Sequence, residues 1–535
     1  MDGRQDNLVE LCLKLIQAQG GLAKATKELS EFKCGRVSSL ALRILTAYLR
    51  LKTLFRRLLG GELSSRRLLK RARKLPKSNG SRFYVKRQVK IGIVCDPFMW
   101  GTLAPAADFV FIHPTEDGFR TLKKVDCLLV VSTYFGLRDE EWRDCSDQAS
   151  PQFAVLLEMM DRVRASGRPV VFYSKEDPVS YSQFLPQARR ADVVFTTAVE
   201  CVGDYRRDCG HDRVFPLAFC INPLLHNPVG SCSAKRRRGV LFAGSWWKQF
   251  PARCQELTRL LKGVLDADFP LLILNRHMRV IGDGRGRFPD EFVKFVRPAV
   301  AHDELQLVHK LFDWAVNINT VTGSETMFAV RVRELLASGT LLISNPSKGM
   351  ELRFPEVFVA EDEETVRQTL MSEDTQALQE RRRSGIRRVM TGETCFDRVD
   401  ELLAKVALER LPLVRRILVV CDRVTPQVKN DFERQTYPHR KLAVRTELTE
   451  EEYLQADMVA FFADGGSYPD HYLEDLSNAF KYTDVDFITD GAGKVQDYVD
   501  GVTEVSRTLF WRESLPFAAL ETVKGVTFAA GGYCV

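Results

Sequence analysis

The run from Trp314 to Asn345 leaves this chain few folds to choose from. Trp314–Asn319 is an apolar stretch of strand length, Thr320–Glu325 is a polar loop, and apolar residues recur at helical spacing from Glu325 to Ser338. Gly339 stands where a helix C-cap belongs, and Thr340–Asn345 reads as a second strand. Strand, helix and strand in that order make a parallel pair with a right-handed crossover. The stretch Gly239–Arg253, GVLFAGSWWKQFPAR, opens a similar unit: a buried strand, a Gly244-Ser245 turn, and a helix entered through Pro251. Ligands of parallel sheets gather at the carboxyl ends of the strands, where helix N-termini present free N–H groups. Both polar loops fall at such ends, so an anion site is expected there, with a diphosphate as its natural guest.

Further short apolar runs place this pair in a unit spanning 239–407, with strands at Val240–Ala243, Leu271–Leu274, Ala315–Asn319, Leu341–Ser344 and Val357–Val359. Lys248, Arg253, Arg276, Arg331 and Arg333 are the bases able to face its ligand edge. Met327, Arg331 and Glu334 share one face of the expected helix, while Arg333 points elsewhere. Glu363–Lys405 is expected to be helical and to close back on the same unit. An earlier unit, 89–224, alternates strands at Val89–Cys95, Asp108–His113, Cys127–Thr133, Pro169–Ser174, Val193–Thr197 and Val214–Phe219 with helices at Phe153–Ala165 and Cys201–Cys209. Such alternation predicts parallel sheets covered on both faces.

The run SETMFAVRVRELLASGTLLISN (Ser324–Asn345), the FAGSWW…FPAR block (Phe242–Arg253) and the NINTV strand (Asn317–Val321) resemble spore-maturation CgeB-type glycosyltransferases, over roughly residues 89–405. The resemblance implies an α/β fold of two facing Rossmann-like domains, the GT-B architecture. It implies a nucleotide-sugar donor on the 239–407 side and an acceptor on the 89–224 side. Related transferases grip the nucleotide ribose with a helix glutamate, which Glu334 matches; their usual partner glutamate lies one residue closer than Glu325, so only Glu334 is carried over. The donor set implied is Gly244, Ser245, Lys248, Arg253, Arg276, Ser324, Thr326, Arg331 and Glu334. An ion pair between Glu334 and Arg331 on the helix surface is the plainer alternative. The turn Glu176-Asp177-Pro178 resembles a family turn that borders the cleft, which makes Asp177, and secondarily Glu176, candidate bases for the acceptor hydroxyl. Against that, Asp often caps the turn ahead of a proline.

Composition bounds the rest. At 535 residues the chain is too long for one core and has room for about three to four domains. No apolar run approaches the roughly 18 residues of a membrane span, the N-terminus shows no secretory pattern, and the thirteen cysteines form no CxxC pair. These features point to a cytoplasmic protein without a structural zinc site. The net charge of +7 is concentrated: between Lys33 and Arg87 every charged residue except Glu62 is basic. Residues 1–80 read as a basic helical segment, with Pro76–Gly80 as a linker. The segment is either a solvated helical hairpin or an amphipathic element for an anionic surface, such as the inner face of a membrane. Nucleic acid is not expected, because aromatic interleaving and reading motifs are absent.

Residues 413–535 begin another α/β pattern. Phe432–Pro438 and Phe461–Glu474 resemble the donor half of family-2 glycosyltransferases, a smaller GT-A-like domain whose Asp-x-Asp holds a metal. Here the slot reads Phe462-Ala463-Asp464, leaving one carboxylate, a thin site for a hard divalent ion. The chain ends at Val535, before the acceptor half such enzymes need, so a degenerate domain is expected. The expected whole is a nucleotide-sugar-dependent glycosyltransferase that needs no metal. Its acceptor would be a glycan, a lipid-linked sugar or a protein, in cell-surface polysaccharide or glycoconjugate synthesis. A non-catalytic subunit that binds a nucleotide sugar or glycan is the competing expectation.

Overall fold

The computed structural model describes residues 61–137, 140–232, 237–276, 286–372, 374–408, 413–491, 495–522 and 526–535. The helices expected before residue 61 lie outside these residues.

The first sheet contains β1 (Arg87–Val94), β2 (Ala107–Phe111), β3 (Cys127–Val131), β4 (Val170–Ser174), β5 (Val193–Thr196) and β6 (Val214–Pro216), in the order β2-β1-β3-β4-β5-β6. Every pairing is parallel. The central strands β3 and β4 are buried along their whole length, as their unbroken apolar runs require of a sheet covered on both faces.

The second sheet contains β7 (Arg237–Ala243), β8 (Leu271–Asn275), β9 (Val296–Pro298), β10 (Phe312–Asn317), β11 (Leu341–Ser344) and β12 (Phe358–Val359). It too is wholly parallel, and its order β12-β11-β10-β7-β8-β9 is the doubly wound Rossmann order. The direction of winding reverses between β7 and β10. Loops leaving the carboxyl ends of these two neighbours diverge around a crevice, which is where such sheets bind ligands.

The carboxyl edges of the two sheets meet. The Phe98 ring, just beyond β1, packs perpendicular to the His302 ring beyond β9, with centroids 5.5 Å apart. Below that contact the loop after β10 is clasped by the loop after β5. Ser324 Oγ and the Glu325 N–H donate to Glu200 at 2.7 Å each, and Thr326 Oγ1 donates to the Thr197 carbonyl at 2.7 Å.

Two expectations about the tail of the second unit change. The helix predicted over Glu325–Ser338 starts only at Arg331, because Ser324 and Thr326 are spent on the clasp. The segment expected to close back on the second unit does not stay there. The helix Cys395–Lys405 crosses to the first sheet, where Phe396, Val399, Leu402 and Leu403 pack against β1, β3 and β4. Arg87 at the start of β1 donates both arms of its guanidinium to Asp400, at 2.6 and 2.5 Å. Residues 395–405 therefore belong to the first unit, and the unit expected to run over 239–407 ends before them.

The third sheet is mixed, in the order β14-β13-β15-β18-β16-β19-β17. Its strands are β13 (Ile417–Cys421), β14 (Arg440–Val444), β15 (Met458–Phe461), β16 (Phe487–Thr489), β17 (Asp497–Val499), β18 (Thr508–Trp511) and β19 (Gly532–Cys534). It is fastened to the second unit through the helix Thr375–Met390, whose Arg387 grips Asp475 with two bonds at 2.6 and 2.7 Å. The expected linker at Pro76–Gly80 is also fixed in place. Asn79 and Arg82 bond Asp484, and Arg82 reaches on to Asp486. Ahead of it, the helix Gly61–Ala72 lays Leu68 and Ala72 on the second unit beside Leu307, Leu311 and Phe312. Its Arg66, Arg67 and Lys70 face solvent.

Candidate functional site

The crevice between β7 and β10 is built from three loops. β7 delivers Gly244, where a Cβ would lie 2.6 Å from the buried Phe242 ring, so any larger residue would have to push that ring aside. Ser245 is buried just beyond, and its carbonyl accepts from Arg253 Nη1 at 3.0 Å. That bond pins Arg253, on the first turn of the helix Pro251–Asp266, against the loop, and burial depresses its pKa. Lys248 stands out in solvent. β8 delivers Asn275, buried, and then Arg276, exposed at the crevice mouth. The loop after β10 leads into Arg331, at the start of the helix Arg331–Ala337.

Arg331 is the unusual member. Its Nε has no hydrogen-bond partner among the described residues. Burial lowers its pKa to about 10; Glu334 opposes that shift, while Arg276 and Arg253 add to it. A half-buried guanidinium whose buried Nε is unanswered, with two further arginines near it, is a strong attractor for an anion, and planar bidentate donors suit phosphate oxygens.

Glu334 is not the surface partner of Arg331 that its spacing allowed, because its side chain is only 4% exposed. It lies among three histidines. His226 Nε2 and His302 Nε2 are 3.5 and 3.6 Å from Glu334 Oε1. His309 is buried close by with neither ring nitrogen hydrogen-bonded among the described residues, and burial drives its pKa down to about 3. Burial by itself would raise the Glu334 carboxyl. His226, with lesser help from His302 and His309, outweighs that and holds it at about 2, so the group is a carboxylate.

Two members of the expected donor set are placed otherwise. Ser324 and Thr326 are consumed by the clasp to Glu200 and Thr197, so they join the two units and offer no hydroxyl to a ligand. Arg333 is fully buried, bonded to Glu393 at 2.8 Å and packed over the Phe328 and Phe354 rings, and it plays no part in the crevice.

On the facing edge the expected base is corrected. Asp177 is fully buried, and it accepts from Thr196 Oγ1 at 2.6 Å and Tyr205 Oη at 3.1 Å. Its carboxylate fastens β5 and the helix Val202–Cys209 to the turn, and burial raises its pKa. It does not border the cleft. Glu176 is partly exposed and bridged to Lys175. Lys175 is buried, and it also pairs with Asp96 at 3.1 Å. Burial would lower the Lys175 ammonium, but Asp96 and then Glu176 outweigh it and raise its pKa. His113 is answered by Glu141 at 2.6 Å. In the third unit, Asp464 is bridged to Arg423, which leaves its carboxylate bound to a cation that a metal would have to displace.

Residues 255–404 match the family described as glycosyl transferase-like. The matched span contains Arg276, His302, Arg331 and Glu334. No curated protein matches the chain. Several solved structures are similar in fold. An α-glucosyltransferase in complex with UDP aligns over 60% of this chain and 100% of its own, at 10% identity and a TM-score of 0.44. An Anabaena protein in complex with UDP and glucose aligns over 59% and 100%, at 10% identity and 0.40. Sucrose-phosphate synthase from Thermosynechococcus elongatus aligns over 60% and 99%, at 12% identity and 0.38.

Proposed function

We propose that the junction between the first two units binds a nucleoside diphosphate sugar and transfers its sugar to an acceptor hydroxyl. The observation that carries this reading is the convergence of Arg253, Arg276 and Arg331, whose Nε has no partner among the described residues, on the reversal point of a doubly wound sheet. The match of residues 255–404 to glycosyl transferase-like proteins supports it. Cations held there stabilise the charge that grows on the departing nucleoside diphosphate, the work a bound metal does in other transferases. The acceptor enters against Asp96, Lys175 and Glu176. A glycan, a lipid-linked sugar or a protein of cell-surface polymer synthesis would serve, and the basic segment of residues 33–87 would place the enzyme on an anionic membrane face.

One observation favours a second reading, a binding subunit without turnover: no carboxylate expected to act as base is free, since Asp177 is buried and Glu176 is bridged. A panel of UDP-, GDP-, ADP- and CDP-sugars separates the two. Thermal stabilisation by one sugar nucleotide together with slow hydrolysis supports the transferase. Stabilisation without turnover or transfer supports the binding subunit. Arg331→Ala removes charge-assisted bonds that contribute about 1.5–3 kcal/mol, so nucleotide binding should weaken roughly tenfold or more. Unchanged binding would remove the crevice from consideration.

A further inference from the structure

We propose that His226, His302 and Glu334 form a site for one exchangeable divalent transition-metal ion of the zinc class, at the junction of the two units. The three residues come from distant parts of the chain: the turn after the first sheet, the first residue of the helix His302–His309, and the helix Arg331–Ala337. Their ligand atoms all lie within 4.8 Å of one another.

The spacing carries the argument. At 3.5 and 3.6 Å the two nitrogen–oxygen contacts are long for charge-assisted hydrogen bonds, which run about 2.7–2.9 Å. A tetrahedral ion with bonds of about 2.0–2.1 Å sets its ligands roughly 3.3–3.4 Å apart, close to what is seen. His226 Nε2, His302 Nε2 and Glu334 Oε1 are also all buried atoms without a hydrogen-bond partner among the described residues. Three such atoms turned on one another need a common partner, because each unmet buried polar group costs about 1–3 kcal/mol.

The surroundings suit a ligand set. His226 Nδ1 lies 3.2 Å from both the Asn222 carbonyl and the Asn222 N–H, so the backbone of Asn222 fixes the ring with Nε2 turned to Glu334. Asn222 is itself tied to the first unit through its side chain and the Gly101 carbonyl at 2.8 Å. The perpendicular Phe98 ring fixes the His302 ring. Two imidazoles and one carboxylate are the donors of open catalytic zinc sites, with a position left for a non-protein oxygen. Magnesium and calcium prefer sets made of oxygen. Arg331 and Arg276 lie close enough to oppose a bare cation, so the site holds an exchangeable ion less tightly than a closed structural one.

The test uses the full chain, stripped with a chelator, desalted, and titrated with Co²⁺ in the absence of any nucleotide. One equivalent should develop the visible absorption of low-coordinate cobalt, and Zn²⁺ should abolish that absorption. His302→Ala, at the partly exposed rim, and the near-isosteric Glu334→Gln should each weaken binding by at least about tenfold while far-ultraviolet dichroism and melting stay intact. His439→Ala, at an exposed histidine outside the cluster, should bind as the parent does. Absence of the absorption, or equal binding by parent, His302→Ala and Glu334→Gln, overturns the site. Because no nucleotide is present, either result is independent of the donor reading.

Discussion

At single residues, a side chain's role is set by partners that come from segments far apart in the chain. Asp177 precedes a proline in a family-like turn, yet Thr196 and Tyr205 claim both its oxygens. Asp177→Ala should cost about 1–3 kcal/mol for the hydroxyls left unpaired, read as a lower denaturation midpoint, and should alter activity only in proportion to folded protein. Loss of turnover at full stability would restore it as the base. Asp464→Asn should leave activity in place, because the carboxylate already answers Arg423. Lys310 gives a pH test. It is buried, donating to Asn227 Oδ1 and the Val229 carbonyl at 3.0 Å each, and burial lowers its pKa from 10.5 to about 7. Between those values the unfolded chain holds the extra proton, so stability attributable to this group rises with pH across that window and is lost as pH falls through about 7. The slope is at most about 1.4 kcal/mol per pH unit, and the difference in unfolding free energy between the parent and Lys310→Met should trace it. A difference that does not change with pH would show that Lys310 is neutral, or charged, in both states.

At the scale of elements the sequence was more legible, because buried parallel strands need unbroken apolar runs. Cys127–Val131, Val170–Ser174 and Leu341–Ser344 stand out by that requirement alone, and each forms a strand. The three-residue strands Val296–Pro298, Asp497–Val499 and Gly532–Cys534 were not legible, since so short a run carries no measurable alternation. The helix Cys395–Lys405 was legible as a helix, with a Thr394–Asp397 capping box, but its destination was not, because amphipathicity specifies an apolar face without naming what covers it. Leu403, fully buried against the first sheet, tests that destination. Leu403→Ala should cost about 2–5 kcal/mol, and hydrogen exchange should report the loss in β1 and β3 rather than in β10 and β11. A loss confined to the second sheet would contradict the crossing.

For the whole molecule, the proposed placement at an anionic membrane face rests on the basic N-terminal segment. The described helix Gly61–Ala72 spends its apolar stripe on the second unit and turns Arg66, Arg67 and Lys70 outward, so charge rather than insertion is available to a membrane. No helix among the described residues is long and apolar enough to cross one. Each base near an anionic surface contributes about 1 kcal/mol, screened over about 8–10 Å. Co-sedimentation with anionic vesicles should be strong at low salt, weak at high salt, and lost on removing residues before Ser78. Equal pelleting with neutral vesicles would leave the segment as scaffold.

The crossing of Cys395–Lys405 also decides how the gene can be cut. The path leaves the first sheet near Ile221 and returns beside itself at Thr394, where the two passages form a single β-bridge. A fragment ending at residue 232 would carry the first sheet with one face stripped and should aggregate. Co-expressed with a second fragment that begins at residue 237 and retains the returning helix, it should reassemble into soluble protein, a complementation built into the order of the chain.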